Sequence, residues 1–397
     1  MKKLRVGILF GGRSGEHEVS LLSAASVLQA IDRKKYDVHL IGITRDGRWL
    51  TAGDAAHLLP SSTAAPQQLR AGDPEATHGA ALLESGEEVL VAPVPARAEH
   101  AGSSLATLRS SAETSLNVDV IFPVLHGTFG EDGTVQGLFE LADIAYVGSG
   151  VLGSSAGMDK DVMKRLFAAA KLPIPKHVTV LRRDWQESPR KTTGSIEAAL
   201  RYPMFVKPAN LGSSVGISKA HDRKELKTAV DLAASYDRKI VIEQSIGGRR
   251  GKARELEVAV LGNDSPQASV VGEVIPCKEF YDYEAKYLSE GSELIIPAPL
   301  TKAQTKQVQQ MAIDAFRACD CAGMARVDFL MEPGKPSSAR SKKIFLNEVN
   351  TLPGFTSISM YPKLWQATGL PYSQLIDRLI EFALERHQEK KNNRYDL

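Results

Sequence analysis

Apolar positions in the first part of the chain come as short continuous runs, whereas toward the C-terminus they alternate with polar ones. Val6-Gly7-Ile8-Leu9-Phe10 is such a run and predicts an interior parallel strand. A glycine turn follows it, then a helical pattern over residues 16–30 and a second strand over 38–43, which together make a βαβ unit. From about 51 to 115 Ala, Ser, Pro and Gly dominate, and the one strand pattern is Val89-Leu90-Val91, so this stretch reads as a surface excursion. Regular structure resumes with the apolar run 118–125, which ends in His126-Gly127, and with a helix over 133–142.

A second region opens near Gly148-Ser149-Gly150, with a helix over 159–170 and a break at Pro173 and Pro175. Strands at 177–181, 204–207 and 240–243 and a helix over 224–235 continue it. A third region runs from about Ser245, with strands at 256–261 and 268–275, a polar stretch 278–293, and a helix over 302–318. Strands at 324–331 and 344–349 and further helices complete it, and the charged end 387–397 is expected to fray. No internal repeat is visible.

Length and charge narrow the picture. A single core stops growing at roughly 250–300 residues, so 397 residues imply two or three domains. With 49 Lys+Arg against 47 Asp+Glu the net charge is +2, too small an excess for a general nucleic-acid or membrane-surface binder. Any anion must be met locally. Cys277, Cys319 and Cys321 cannot make a disulfide framework, and Cys319-x-Cys321 is one residue short of the CxxC spacing, so a reducing cytoplasm fits. Met1-Lys2-Lys3-Leu4-Arg5 begins like a signal peptide, but Gly11-Gly12 ends the apolar stretch and no cleavage site follows. No apolar run approaches the roughly 20 residues that span a bilayer, so a soluble protein is expected.

Several constellations carry candidate chemistry. Phe10-Gly11-Gly12-Arg13-Ser14-Gly15-Glu16 is a Gly-rich turn, either purely structural or a receiver of anions at a helix N-terminus. It is not GxGxxG, and no acidic residue ends the second strand, so dinucleotide binding is disfavoured. Glu18, one turn into the helix, is placed to face the cleft and hold an ammonium group. Lys207-Pro208-Ala209-Asn210-Leu211-Gly212-Ser213-Ser214-Val215-Gly216 is either a polar hairpin turn or a phosphate-wrapping loop with a cation at its root, and neither it nor 247–253 is a Walker loop. In Phe345-Leu346-Asn347-Glu348-Val349-Asn350, alternation puts Glu348 and Asn350 on one face; Arg326 and Asp328 share a face in the strand before it. Either face alone is common on a solvated strand, but the two in tandem suit a hard cation such as Mg²⁺, and no zinc pattern is present. Glu243 and Glu255 read as surface charges or as acceptors for ribose hydroxyls and an amine. The segment 280–287, rich in Tyr and charge, is either a lid that excludes water or a decorated loop.

In order along the chain, these pieces resemble the D-alanine:D-alanine ligases of the ATP-grasp superfamily. The resembling motifs are Gly11-Gly12-x-Ser14-x-Glu16-x-Glu18-Val19-Ser20, His126-Gly127-x-x-Gly130-Glu131-Asp132-Gly133, Met158-Asp159-Lys160, Lys207-Pro208 with Gly212–Gly216, residues 280–288, Arg326-Val327-Asp328, and Glu348-Val349-Asn350-Thr351-x-Pro353-Gly354-x-Thr356-Ser357. The long segment 51–115 resembles the longer subtype. The resemblance implies an α/β fold: an N-terminal Rossmann-like parallel-sheet domain over 1–148, then a two-domain ATP-grasp fold over 149–244 and 245–397 with the nucleotide between them and a lid at 278–293. It implies ATP-dependent joining of two D-alanine molecules through an acylphosphate, for peptidoglycan precursor synthesis.

The roles it implies are these. Lys160 and Lys207 contact the ATP phosphates, the loop with Gly212, Ser213 and Ser214 closes over them, Lys286 also binds the nucleotide, and Glu243 and Glu255 address adenine and ribose, with Glu257 a possible substitute for Glu255. Asp328, Glu348 and Asn350 hold two Mg²⁺ ions, or Mn²⁺. Glu18 binds the first ammonium, His126 lies at the substrate, Arg326 and the Gly354 N–H stabilise developing charge, and Ser359 binds the second carboxylate. Ser213, Tyr287 and Glu18 link the closed lid. A homodimer in the cytoplasm, with D-alanine as partner and neither nucleic acid nor membrane, completes the expectation. A D-alanine:D-lactate ligase, another ATP-grasp carboxylate–amine ligase of biotin-carboxylase type, and a catalytically silent ATP-binding regulator are the alternatives.

Overall fold

The computed structural model describes residues 2–51, 87–91, 107–110, 115–212, 214–247, 251–275, 293–333, 343–356 and 358–394. The first sheet starts with β1 (Leu4–Gly11), α1 (His17–Ala30) and β2 (Tyr36–Ile43). β2 lies parallel to β1 with Val6 opposite Val38, the arrangement a helical crossover allows. β3 (Trp49–Thr51), β4 (Glu87–Val91), β5 (Thr107–Ser110) and β6 (Ser115–Asn117) then extend that edge as an antiparallel meander. The surface excursion expected over 51–115, with its single strand, is therefore corrected: three strands close together in sequence add themselves to an open sheet edge. On the other side β7 (Val120–Pro123) and, beyond α2 (Thr134–Leu141), β8 (Ala145–Tyr146) are parallel, giving the order β6-β5-β4-β3-β2-β1-β7-β8.

Two helices follow, α3 (Val151–Met158) and α4 (Lys160–Ala169). Then come β9 (His177–Leu181), α5 (Arg182–Glu187), α6 (Pro189–Ala199), β10 (Met204–Pro208), β11 (Ser218–Ala220), α7 (Arg223–Tyr236) and β12 (Lys239–Gln244). Their four strands form an antiparallel sheet in the order β11-β10-β12-β9. Sequence pattern did not predict α3, α5 or α6. In α3 the composition Val-Leu-Gly-Ser-Ser-Ala-Gly-Met is poor for a helix. Close packing overrides it: a Cβ on Gly153 would stand 2.4 Å from the Asp320 carbonyl oxygen, and one on Gly157 would stand 2.7 Å from the Thr351 methyl.

The third sheet is antiparallel, built from β13 (Arg254–Gly262), β14 (Gln267–Ile275), β15 (Glu293–Ile295), β16 (Gly323–Met331) and β17 (Ile344–Asn350) in the order β15-β14-β13-β16-β17. α8 (Lys302–Ala318), opened by a Thr301/Gln304 capping box, covers one face together with α4, burying Met163, Phe167, Val308 and Phe316 against Val258, Val327 and Leu346. α9 (Met360–Thr368) and α10 (Tyr372–Lys390) cover the other face and carry the core across to the first sheet. There Phe122 and Phe355 meet edge to face with ring centres 5.7 Å apart. The expected fraying from 387 is corrected, since α10 stays helical through Lys390. The expected lid 278–293, with Lys286 and Tyr287, lies outside the described residues except for Glu293, and so does Ser213.

Candidate active site

The Gly-rich turn after β1 folds over the carboxyl ends of the parallel strands, where open α/β sheets receive ligands. Gly11 N–H donates to Ser20 Oγ (2.7 Å), and Ser20 Oγ–H donates to the Val124 carbonyl (2.6 Å). Ser14 Oγ–H donates to the His126 carbonyl (2.6 Å) and accepts the Glu16 N–H (3.2 Å). These bonds hold Glu16 at the N-cap of α1, buried, with its carboxylate between Gly127 and Gly212; a Cβ on either glycine would come within 2.4 or 2.8 Å of its Oε2. Glu18 instead pairs with Arg45 on the exposed side of the helix. The expected cleft role of Glu18 is therefore corrected in favour of Glu16. Two residues along a helix are about 200° apart, so when one faces the crevice the other faces away.

His126 is buried and positions rather than reaches. Its Nδ1–H donates to the Leu352 carbonyl (3.1 Å), which leaves Nε2 to accept the Ser23 hydroxyl (2.9 Å). Burial pushes its pKa down to about 4, so the ring is neutral at pH 7. Glu131 accepts the Gly127 N–H at 2.8 Å. Burial and the neighbouring Glu16 push the Glu131 carboxyl well above its usual range, against the opposing fields of Arg326 and Lys160. Glu16, Glu131, Arg326 and Lys160 thus share one neighbourhood.

Lys160 opens α4 behind the N-cap Asp159, whose side chain accepts the Asp161 and Val162 N–H groups. Its Nζ donates to the Leu211 carbonyl (2.7 Å) and braces the root of the β10–β11 hairpin loop. That loop carries Gly212, Ser214 at φ 60° and Gly216 at φ 70°. Lys207, near the end of β10, donates to Glu243 Oε2 (3.0 Å) on β12 and to Asn347 Oδ1 (3.4 Å). Lys164, one helical turn beyond Lys160, lies 3.0 Å from Glu243 Oε1 and donates to the Asn347 carbonyl (3.3 Å). Burial alone would raise the Glu243 carboxyl, but Lys164 and Lys207 outweigh it and hold its pKa at about 2. Both Glu243 oxygens face lysines, a geometry that by itself gives no support to its expected contact with adenine and ribose, although the residue lines the cavity described below. Lys164 was not foreseen; its signal is the i, i+4 spacing from Lys160 on a face that also carries Met163 and Phe167.

The strand carboxylates meet as alternation requires. Asp328 on β16 stands directly opposite Glu348 on β17, and Arg326 stands opposite Asn350. Arg326 grips Asp328 through two hydrogen bonds of 2.7 Å, and its Nε lies 3.1 Å from Glu257 Oε2 on β13. Glu257 is thereby paired with Arg326, while Glu255 sits half-buried nearer the strand end. Asn350 Oδ1 accepts the Leu352 N–H (3.1 Å). Among the described residues no group of three or more His, Cys, Asp or Glu side chains is gathered to hold a metal. Two opposed carboxylates and an amide are nevertheless a hard-oxygen donor set that fits Mg²⁺, which uses one or two carboxylates beside phosphate and water.

The loop after β17 completes the site. Ser359, at the N-cap of α9, accepts the Thr356 N–H (3.0 Å), and a Cβ on Gly354 would stand 2.7 Å from Ser359 Oγ. Phe355 N–H donates to Ser23 Oγ (3.4 Å), which docks this loop beside His126 and the first turn. Between the four- and five-stranded sheets lies a cavity of about 350 Å³, lined among others by Lys207, Ser214, Glu255, Arg326, Asp328 and Glu348. Cations and carboxylates therefore face a single volume between these two sheets.

The family model described as D-ala D-ala ligase N-terminus matches residues 5–149, and that described as D-ala D-ala ligase C-terminus matches residues 166–381. A D-alanine–D-alanine ligase of Chloroherpeton thalassium is 49% identical over 391 residues, covering 98% of this chain and 99% of that protein. The solved D-alanine-D-alanine ligase of Coxiella burnetii superposes with a TM-score of 0.78 at 35% identity, covering 98% of this chain and 97% of its own. The VanG D-Ala:D-Ser ligase of Enterococcus faecalis gives a TM-score of 0.77 at 34% identity, covering 96% of this chain and 100% of its own. The chain belongs to the D-alanine–D-alanine ligase family, a family of carbon–nitrogen ligases with the ATP-grasp fold.

Proposed function

We propose that the cavity takes ATP and that the chain joins the carboxylate of one D-alanine to the amine of a second. The observation that carries this reading is the opposition, across one small volume, of Lys207 to the cross-strand Asp328/Glu348 pair. Phosphoryl transfer is catalysed mainly by positioning and charge, and this site supplies both signs. Lys160, Lys207 and the Gly212–Ser214 segment meet the phosphates, and Glu255 accepts from the ribose. Asp328, Glu348 and Asn350 would hold two Mg²⁺ ions, with Mn²⁺ acceptable to the same oxygens. When bound, the metal neutralises phosphate charge during transfer. By resemblance, Ser213 and Lys286 bind the nucleotide and Tyr287 the substrate.

Glu16 holds the first ammonium, a charge-assisted pair in a buried setting. The first carboxylate takes the terminal phosphoryl group of ATP, giving an acylphosphate and ADP. The amine of the second D-alanine then attacks the carbonyl carbon, phosphate departs, and the amine loses a proton. Arg326, fixed by Asp328 and Glu257, and the Gly354 N–H stabilise the negative charge of the tetrahedral centre. Ser359 receives the second carboxylate. The domain division at 148/149 and 244/245 is part of this reading, supported by sheets whose strands fall within 4–146, 177–244 and 254–350. A homodimer and a cytoplasmic setting complete it; among the described residues no helix is long and apolar enough to cross a membrane.

A relative described as a D-Ala:D-Ser ligase makes the second substrate the point to measure. The test is ATP-dependent phosphate release with D-alanine alone, or with D-alanine plus D-serine or D-lactate, and the product identified by mass. The dipeptide of two D-alanines is expected as the main product. Phosphate release that requires D-lactate and yields only the ester would overturn the reading.

A further inference from the structure

Lys207 and Glu243 line the cavity and Lys164 lies behind them, a buried group of charges of which the proposed nucleotide site uses only Lys207. Lys164 is fully buried, Lys207 and Glu243 nearly so. The carboxylate of Glu243 has one lysine on each oxygen: Lys207 hydrogen-bonded to Oε2, and Lys164 3.0 Å from Oε1 without a well-aligned hydrogen bond. The Lys164 contact is thus chiefly electrostatic. Both lysines also converge on Asn347, Lys164 on its carbonyl and Lys207 on its side chain. Asn347 is the extra residue of a β-bulge, since Asp328 pairs with Glu348 while Phe329 pairs with Leu346. Bulges re-aim side chains at the rims of sites. Here the bulge lets one residue of the third sheet fasten a helix and the second sheet together at the wall of the cavity.

The charges have a consequence. Lys207 lines the cavity, yet its nearest partner is an anion. Alone with Glu243 it would form a neutral pair and offer a phosphate little net attraction, because in a buried setting charges are weakly screened. With Lys164 on the far oxygen, the three groups carry one net positive charge, and the outermost of them is Lys207. We propose that Lys164 is a positioning residue that occupies Glu243 from behind and so leaves the charge of Lys207 available to a nucleotide phosphate. The proposal rests on the reading of the cavity as an ATP site and adds to it a residue that touches no ligand.

The test uses the full chain, with MgATP dissociation measured by calorimetry and KM measured for both substrates. Lys164→Met leaves a neutral pair and should weaken MgATP by at least tenfold, about 1.4 kcal/mol, with the KM for D-alanine moving far less. Adding Glu243→Gln to it leaves Lys207 as the only charge and should bring affinity back to within about threefold of wild type. Lys164→Arg should behave like wild type. A residue that only braces the fold would not be rescued by removing its partner. Removing both members of a buried pair is tolerated better than removing one, so the double variant decides the matter even where the single one fails to fold. A folded Lys164→Met that binds MgATP like wild type, or a folded double variant still tenfold weaker, would overturn the proposal. A wild-type chain that binds no MgATP would defeat the nucleotide site itself, and this inference with it.

Discussion

At the residue scale the sharpest contrast is between two glutamates two positions apart. Glu16 is buried between Gly127 and Gly212, whereas Glu18 is only half-buried and paired with Arg45. Glu16→Gln should lower kcat/KM for D-alanine by about a hundredfold, the ~3 kcal/mol worth of a buried charged hydrogen bond. Glu18→Gln loses an exposed ion pair and should stay within about twofold. Phosphate-release kinetics on the two variants checks this, and the reverse ranking would restore Glu18 to the cleft. His126 carries a second prediction. Its pKa is about 4 in the fold against an ordinary 6.5, so the unfolded chain binds more protons between those values and stability falls as the pH falls through that window. Roughly 3 kcal/mol is involved for a group this buried. The unfolding free-energy gap between wild type and His126→Gln should therefore be widest above pH 6.5 and narrow toward pH 4, as denaturant titrations at several pH values would reveal. A gap independent of pH would mean the ring is not held neutral.

At the scale of elements, the sequence was legible where periodicity alone decides. The strands that carry Arg326, Asp328, Glu348 and Asn350 were readable because alternation is a backbone property, and their opposition in register follows once the strands pair. The bulge at Asn347 was not readable, because an extra residue leaves no mark in a seven-residue strand until its partner is known. Helix α3 was hidden for a related reason: its glycines oppose a helix locally and are required only by the Asp320 and Thr351 atoms that crowd them. The strands of 87–117 lie in a stretch whose composition signals turns, and an available sheet edge supplied the pairing. The lysine pairing of Glu243 was hidden likewise. Nothing at the end of a buried strand announces Lys164, which arrives from a helix nearly eighty positions earlier.

At the scale of the molecule, a net charge of +2 over 397 residues conceals strong local separation. Lys160, Lys164 and Lys207 gather at the root of one hairpin loop, and Asp328 and Glu348 gather on the facing sheet. The first sheet adds Glu16 and His126 to this arrangement, the second supplies Lys207 and its loop, and the third the carboxylates, Gly354 and Ser359. Docking of the loop after β17 onto Ser23 and His126 ties the amino-acid side of the site to the metal side. The central claim is that this arrangement activates one D-alanine carboxylate with ATP before the second amine attacks. It is tested most directly by supplying D-alanine whose carboxylate carries heavy oxygen and analysing the released phosphate by mass. The account predicts that each phosphate formed with a dipeptide carries one heavy oxygen from the substrate; dipeptide made with unlabelled phosphate would contradict it.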